Sequence, residues 1–248
     1  MRVFCFQAIQ VLTMKCLILG MRIFSLLLLF CCFVCACSTP AVEKKRKTKK
    51  PVVFKEVEPS LAYESCQIGK QIWMAQNLNE PHFKNGDPIW QAKTKEEWKK
   101  AGNTCTPAWC YYNNDPKLGQ QFGKLYNWYA VNDPRGLAPK GWKIAANSNY
   151  FELISDLTKL DKDALALQHN SFIGNYPDAD ALHFHAYGSG YRKESGIFAG
   201  KDDYACYWSS DTATAYSAYT FDLKKKQLDP LLGAYYKSGG FSVRCIKN

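Results

Sequence analysis

Apolar side chains recur at helical spacing in three stretches of the chain. The predicted helices cover about residues 94–101, 122–131 and 148–160. Thr94 and Glu97 form a capping box that opens the first helix, and Asn147 or Ser148 is expected to cap the third. The side chains expected to face inward are Phe122, Leu125, Tyr126, Tyr129 and Ala130 in the second helix and Phe151, Leu153, Ile154 and Leu157 in the third.

Short apolar runs and two-residue alternation predict strands elsewhere. The predicted strands cover about residues 67–73, 205–209, 216–222 and 240–247. Around the third strand, Tyr219, Phe221 and Leu223 are expected on the buried face. Few helices, many short strands and frequent Gly and Asn turns indicate a loop-rich α+β fold with short antiparallel strands and two main helices, and argue against repeated βαβ units.

The longest apolar run follows Arg22 and ends at Cys37. Its apolar stretch is shorter than the roughly 20 residues that a membrane-spanning helix needs. A basic residue, a short apolar run and small residues at its end are typical of a secretory signal peptide. We therefore predict a signal peptide over residues 1–36, with Met21 as an alternative start, and lipidation of Cys37, as in a bacterial lipobox. The alternatives are an uncleaved membrane anchor and a secreted protein without lipid.

The basic residues of the chain are concentrated near its start. The formal net charge is +10, but residues 51–248 hold 23 basic and 21 acidic residues, and six of the seven residues 44–50 are basic. We therefore predict a lipidated, basic and disordered tether over residues 37–56 and one domain over residues 57–248. Beside a lipid anchor, such a tether favours contact with anionic headgroups over nucleic acid. A solvated spacer without a partner is the alternative.

Five of the eleven cysteines lie in the predicted domain: Cys66, Cys105, Cys110, Cys206 and Cys245. In an oxidising envelope they are candidate disulfide partners, with up to two bridges. Cys105 and Cys110 could close a small loop, and Cys66 and Cys245 could meet if the terminal strands pair. Buried free thiols are the alternative for each.

Eight motifs carry a family resemblance. In chain order they are IGKQIWMAQNL (68–78), WCYYNND (109–115), FGKLYNWYAV (122–131), GLAPKGWKI (136–144), FELISDL (151–157), GYRKESGIF (190–198), YWSSD (207–211) and GFSVRCIK (240–247). The series resembles the Fibrobacter succinogenes major paralogous domain, a family common on Bacteroidetes lipoproteins. The resemblance implies a fold like that of C-type lectins and formylglycine-generating enzymes, in which the N- and C-terminal strands pair. It implies no established activity.

The sequence offers little for catalysis or metal binding. No nucleophile elbow is present, and we predict that the protein is not an enzyme. His183 and His185 would lie on one face of an edge strand as a candidate metal pair, but no third ligand follows from the spacing, so no metal site is predicted. Asn113–Asp115 and Asp178–Asp180 offer oxygen ligands for calcium, yet ordinary turns use the same residues. No cofactor is therefore expected.

The predicted function is binding, by loops on a rigid scaffold. The candidate ligand-binding residues are Tyr111, Tyr112, Asn113, Asn114, Asp115, Tyr191, Arg192, Trp208 and Asp211. For those candidates that belong to the shared motifs, a role in the core is the favoured interpretation, because such motifs usually specify the fold. We expect a non-enzymatic, outer-membrane lipoprotein of the cell envelope, on its periplasmic or outer face, whose domain binds a glycan or an envelope protein. A structural or assembly subunit of a surface polymer and an enzyme of unknown type are the alternatives.

Overall fold

A computed structural model describes residues 63–248. The predicted signal peptide, the lipidation residue Cys37 and the basic tether over residues 37–56 lie outside these described residues. Within the described part, no helix has both the length and the apolar character needed to cross a bilayer.

The described chain forms thirteen strands in three sheets. The strands are β1 (Ser65–Ile68), β2 (Gln71–Met74), β3 (Trp90–Gln91), β4 (Ala108–Cys110), β5 (Leu125–Tyr126), β6 (Trp142–Ile144), β7 (Ser189–Arg192), β8 (Phe198–Lys201), β9 (Tyr204–Thr212), β10 (Ser217–Lys224), β11 (Leu231–Tyr236), β12 (Ser242–Val243) and β13 (Cys245–Lys247). The first sheet has the order β1-β2-β13-β6, the second β11-β10-β9-β7-β8 with β12 added to β9, and the third β3-β4-β5. Most pairs are antiparallel; β3–β4, β7–β9 and β9–β12 are parallel.

Five α-helices and two 3₁₀ turns accompany these strands in residues 63–248. The helices are α1 (Lys95–Asn103), α2 (Pro116–Phe122), α3 (Trp128–Val131), α4 (Asn147–Lys159) and α5 (Asn170–Ile173), and the 3₁₀ turns are Tyr112–Asn114 and Ala164–Leu167. Two of the helices, α1 and α4, are clearly longer than the rest. The predicted α+β class is confirmed.

The two ends of the described domain meet in one sheet. Strand β13 lies between β2 and β6, and Ile246 pairs with Trp73 across the β13–β2 ladder. Strands β1 and β2 form a hairpin at Gly69, whose φ of +58° suits glycine. A Cβ at Gly69 would also meet Asp156 Oδ2 at 1.7 Å. Residues 67–73, predicted as one strand, are therefore two strands and a turn.

Helix α1 begins as predicted. The Thr94 side chain accepts a hydrogen bond from the Glu97 N–H at 3.0 Å, and Glu97 Oε2 accepts one from the Thr94 N–H at 2.9 Å. Such a reciprocal box satisfies two N–H groups that a helix start leaves without partners. Trp98 and Ala101 on the buried face of α1 join a small apolar cluster with Cys110.

The predicted helix over residues 122–131 is wrong. The segment instead forms the end of α2, strand β5 and the single-turn helix α3. Gly123 has a φ of +70° and lies close to the loop that follows β2. A Cβ at this position would lie 2.8 Å from the Leu78 carbonyl oxygen. Asn127 then caps α3 by accepting the Ala130 N–H at 3.1 Å. The apolar positions fit a helical period, but they belong to three different elements.

Two large aromatic clusters form the core. In the first, Tyr150 of α4 stacks on Phe221 of β10 at 4.7 Å and contacts Trp73 at 5.5 Å. Such ring pairs contribute about 0.5–1.5 kcal/mol beyond the area they bury. The second centres on Trp208 and Phe241. Tyr126, expected in the core, is fully buried there.

Two side chains predicted as inward-facing are exposed. Phe151 is on the outer face of α4, whereas Leu153 and Leu157 are buried as expected. Tyr219 is exposed although Phe221 and Leu223 on the same strand are buried. Its neighbours Ala218 and Thr220, which face the opposite way, are fully buried, so both faces of β10 contribute to the core. Side-chain alternation alone does not show which face of a strand is covered at each position.

All five cysteines of the described domain are free thiols in the structure. Cys105 is exposed, whereas Cys66, Cys110, Cys206 and Cys245 are buried. The small loop predicted between Cys105 and Cys110 is not closed by a bridge, nor are the chain ends joined through Cys66 and Cys245. Burial raises the pKa of the Cys66 thiol to about 11 and that of Cys110 to about 12, which makes these thiols poor nucleophiles.

Candidate functional site

Trp208, one of the predicted ligand-binding residues, lies in the core. Its side chain is 0% exposed, and its indole N–H donates to the main-chain oxygen of Tyr126 at 2.8 Å. The indole ring packs edge-on against Phe241 at 4.6 Å. Trp208 thus presents no face to a ligand. Because removing such a ring costs about 3–5 kcal/mol of stability, a Trp208→Ala variant tests folding and not binding.

Arg192 is also buried, with 1% of its surface exposed. Its guanidinium lies over the rings of Trp98 and Phe198, at 4.8 and 4.6 Å. It donates to three carbonyl oxygens, those of Ala92, Thr94 and Gly196, at 2.8, 2.9 and 3.1 Å. These bonds join β7 to the start of α1, which is a structural role. The neighbouring Tyr191 is half-buried and stacks on Phe241 at 5.6 Å.

The two predicted tyrosines after β4 pack into the domain. Tyr111 is half-buried and meets Trp109 edge-on at 5.0 Å, and Tyr112 is buried against Phe198 at 5.2 Å. A Cβ on Gly119 of α2 would come within 2.1 Å of the Tyr111 ring. The ring therefore fills the space that the missing side chain of this glycine leaves.

The three polar residues that follow these tyrosines shape a turn. Asn113 and Asn114 have left-handed φ values of 51° and 56°, a region that asparagine tolerates better than most residues. Asn114 Nδ2 donates to the Lys93 carbonyl oxygen at 2.6 Å. Asp115 Oδ1 accepts the Lys117 N–H at 2.9 Å and so caps α2. Local backbone geometry accounts for all three residue types.

Asp211 caps helix α4 from the neighbouring strand. Its Oδ2 accepts the Asn147 N–H at 2.8 Å. The position before the helix is Ala146, which has no side-chain acceptor, so the predicted cap by Asn147 or Ser148 is wrong. A cleft of roughly 470 Å³ lies at this helix end, and Lys84, Lys143 and Ser210 are among its lining residues.

Exposed tyrosines gather at one end of the β10–β11 hairpin. We call Tyr216, Tyr219 and Tyr236, which are 78%, 36% and 62% exposed, the tyrosine surface. Tyr236 pairs with Ser217 and Tyr219 pairs with Ala234, so Tyr219 and Tyr236 are diagonal neighbours on one face of the hairpin. Strand β11 is an edge strand of its sheet. Rings at this position are open to a ligand, unlike those of Trp208 and Tyr112.

A second group of polar side chains lies between the 3₁₀ turn Ala164–Leu167 and strand β7. We call His169, Asp180 and His185 the histidine cluster: one donor atom from each lies within 4.8 Å of the other two. The predicted edge strand around His183 and His185 is wrong, because both residues have left-handed φ values of 52° and 53° in a loop. His183 is exposed, and its ring lies 6.0 Å from that of His185.

Hydrogen bonds hold the histidine cluster together. Asp180 is buried, its Oδ1 accepts the His185 N–H at 2.8 Å, and its Oδ2 contacts His185 Nδ1. His169 Nδ1 lies 2.8 Å from Ser171 Oγ and 3.0 Å from the Ser171 nitrogen. Partial burial lowers the pKa of His169 from its ordinary value of 6.5, as does nearby His185, while Asp180 acts in the opposite direction. The ring of His169 is therefore neutral at pH 7.

The residues of the histidine cluster are not joined by any sequence pattern. His183 and His185 were predicted as a metal pair and Asp180 as part of a turn, but His169 lies 16 residues before His185, and no regular spacing relates the two. Tyr216 and Tyr219 were assigned to one predicted strand, with Tyr219 on its buried face, and no prediction was made for Tyr236. Only the fold shows which of these side chains meet and which are exposed.

The architecture defines a class: a loop-rich α+β domain whose first and last described strands share a sheet. The family model for the Fibrobacter succinogenes major domain matches residues 66–247. The chain therefore belongs to this family, as the motifs predicted. No curated protein and no solved structure matches the chain.

Proposed function

We propose that this protein is a non-enzymatic lipoprotein of the cell envelope whose lectin-like domain binds a glycan through the tyrosine surface. The observation that carries the proposal is the exposure of Tyr216 and Tyr236, at 78% and 62%, beside Tyr219 on one hairpin. Elsewhere in the domain, most large aromatic rings are buried. Tyrosine offers a rigid apolar face and a hydroxyl at a low cost in conformational entropy, which suits recognition.

Polar groups adjoin these rings. Thr214 Oγ1 and Ser217 Oγ are 2.7 Å apart in the turn that precedes β10, and both residues lie beside Tyr216 in the sequence. A sugar ring presents C–H groups on its faces and hydroxyls around its edge. Aromatic faces with hydroxyl groups next to them match both kinds of surface. This composition favours a glycan over a purely apolar partner.

A glycan array tests the proposal. The purified protein is screened with calcium and with a chelator, beside a Tyr219→Ala/Tyr236→Ala variant. We expect reproducible binding that the double substitution reduces at least tenfold while thermal unfolding stays cooperative. Tyr176→Ala is the matched control, because Tyr176 is 45% exposed and lies near Lys226, beyond the opposite end of β10. An array on which the folded protein binds nothing contradicts the glycan proposal and favours a protein partner.

The lectin-like fold is supported by the pairing of the chain ends. Trp73 of β2 pairs with Ile246 of β13, and the short sheets and long loops agree with that architecture. An experimental structure compared with C-type lectins tests this part of the proposal. A domain whose strand order differs from theirs would contradict it.

The membrane attachment rests on the apolar run and Cys37. We expect radiolabelled palmitate to enter the wild-type protein and not a Cys37→Ala variant, and the protein to fractionate with the outer membrane. Protease digestion of intact cells then distinguishes the periplasmic from the outer face. Label in the Cys37→Ala variant would contradict lipidation at this residue.

A second candidate function is assembly, and the edge strand β11 favours it. Leu231, Tyr235 and Tyr236 are exposed on this strand, and an edge strand can pair with a strand from another chain. Light scattering over a range of protein concentrations tests this candidate. Mass that grows with concentration, and that falls in a variant with lysines at Leu231 and Tyr236, would support assembly; a monomer throughout would exclude self-assembly.

A further inference from the structure

The donor atoms of the histidine cluster are those of a transition-metal site. Two imidazoles and a carboxylate are a common ligand set for zinc, with bonds of about 2.0–2.2 Å. At that bond length, ligands of a tetrahedral ion lie roughly 3.4 Å apart. Since the three donors already lie within 4.8 Å of one another, modest side-chain rotation suffices for ligation. We propose that His169, Asp180 and His185 bind a divalent transition-metal ion, with zinc as the expected ion.

The main chain holds the three residues in place. The His169 N–H donates to the Ala186 carbonyl oxygen at 2.9 Å, and the Asp180 N–H donates to the Leu165 carbonyl oxygen at 3.1 Å. His185 is tied to Asp180 by the N–H···Oδ1 bond of 2.8 Å. A site assembled before the ion arrives loses less entropy on binding.

The loop that carries two of the ligands is in a costly conformation. Asp178, Asp180, His183 and His185 all have left-handed φ values, between 52° and 60°. Non-glycine residues in this region cost of order 1 kcal/mol each. Such conformations persist where surrounding contacts enforce them, and they concentrate at ligand sites. The strain agrees with a binding role for this loop, although the proposal rests on the donor set.

The charge of Asp180 also needs a partner. Its side chain is 8% exposed, and among the described residues His185 is the only basic side chain in an ion pair with it. A second ion pair of this loop, Lys162 with Asp178, uses a different carboxylate. A metal ion would replace the contact between Asp180 Oδ2 and His185 Nδ1, and the neutral His185 ring would then carry its proton on Nε2.

Ser171 holds the ring of His169 in place. The Ser171 N–H donates to His169 Nδ1 at 3.0 Å, and Ser171 Oγ lies 2.8 Å from the same nitrogen. In the neutral ring the proton is therefore on Nε2. When Nε2 binds an ion, this proton moves to Nδ1, where Ser171 Oγ can accept it in place of the N–H bond. We assign Ser171 as a positioning residue, since it acts through His169.

The donor types also select the ion. Calcium takes six to eight oxygen ligands, whereas this cluster offers one carboxylate and two nitrogens. Zinc, and other late first-row divalent ions, accept imidazole readily. Three protein ligands leave a fourth position for water or for exposed His183, whose ring is 6.0 Å from that of His185.

Calorimetric titration with zinc chloride tests the proposal on purified protein that carries no polyhistidine tag. We expect one ion per chain. His169→Ala and Asp180→Asn should each lower the affinity at least tenfold, and Ser171→Ala by about tenfold. His82→Ala is the matched control, because His82 is exposed and lies outside the cluster; its affinity should equal that of wild type.

Thermal unfolding shows whether each variant is folded before its zinc affinity is compared with that of wild type. Zinc should raise the midpoint of the wild type and of His82→Ala, and calcium at the same concentration should not. If the wild type binds no zinc, or if folded His169→Ala binds it with unchanged affinity, the proposal is wrong. Because the tyrosine surface shares no residue with the cluster, this outcome is independent of the glycan array.

Discussion

The Arg244 guanidinium donates from Nη2 to the main-chain oxygen of His185 at 2.8 Å. It also donates from Nη1 to the Met74 carbonyl oxygen at 2.7 Å and lies over the Phe184 ring at 4.4 Å. Arg244 is 0% exposed, and a buried charge is tolerated only where hydrogen bonds replace water. Arg244, which lies between β12 and β13, thus fixes the loop that carries His185 to β2.

Replacing Arg244 with lysine should lower the free energy of unfolding by about 3 kcal/mol or more. Lysine lacks the planar fork, so at least two of the hydrogen bonds are lost, and each bond to a charged group contributes about 1.5–3 kcal/mol. Urea unfolding measures the difference. Arg135→Lys is the control, since the Arg135 side chain is 38% exposed in its ion pairs with Asp133 and Asp87 and its replacement should cost much less stability. Equal losses in the two variants would contradict this role.

Gly119→Ala should destabilise the protein although alanine favours helices by about 1 kcal/mol over glycine. The added Cβ would lie 2.1 Å from the Tyr111 ring, and overpacking costs about 1–3 kcal/mol. Thermal unfolding of Gly119→Ala, Tyr111→Ala and the double variant measures the coupling, which we expect to be less than additive. Gln120→Ala, on the exposed side of the same helix, should be nearly neutral. Stabilisation by Gly119→Ala would refute the contact.

Local patterns predicted those elements whose signals lie within a few residues. The Thr94–Glu97 box marked α1, and the apolar spacing of Leu153 and Leu157 marked α4. The helix predicted over residues 122–131 is wrong because the apolar side chains of this segment belong to three elements that pack on the core. The helix ends at Gly123, where the backbone lies against Leu78. Leu78 is distant in sequence, so no local pattern predicts this contact.

The sites depended still more on distant contacts. Arg192 and Trp208 were candidates for both ligand binding and the core, and the sequence did not show their partners, which lie as far as 100 residues away. A pattern cannot tell a guanidinium that binds a ligand from one that binds the chain's own carbonyl groups. His169 and His185 likewise meet through the fold, so the sequence supplied the residue types of the histidine cluster without its geometry.

Asp211→Ala should lower the free energy of unfolding by about 1 kcal/mol. The substitution removes the acceptor for the Asn147 N–H and a negative charge at the start of α4, and helix caps contribute about this much. Urea unfolding measures the loss, with Asp203→Ala, an exposed aspartate, as the control. Glycan binding should be unchanged in Asp211→Ala. If Asp211→Ala lost glycan binding while its stability stayed unchanged, Asp211 would be a ligand-binding residue and not a helix cap.

Asp222 should make the stability of the protein fall between about pH 4 and pH 6. Burial raises the pKa of this carboxyl from 3.8 to about 6, and its Oδ2 accepts a hydrogen bond from Thr220 at 3.3 Å. The folded state therefore binds more protons than the unfolded state in this window. The stabilisation from the protonated form is complete below about pH 4 and is lost as the pH rises through 6. Each pKa unit corresponds to about 1.4 kcal/mol, so the loss is roughly 2–3 kcal/mol.

Urea unfolding at half-unit steps from pH 4 to pH 7 tests this dependence in the wild type and in Asp222→Asn. Asparagine keeps the shape and a carbonyl acceptor but cannot ionise, so the variant should show a flatter profile and gain stability relative to wild type as the pH rises. Asp203→Asn is the control, because Asp203 is exposed and should leave the profile unchanged. Parallel profiles for wild type and Asp222→Asn would show that this carboxyl does not titrate in the window, and the raised pKa would then be wrong.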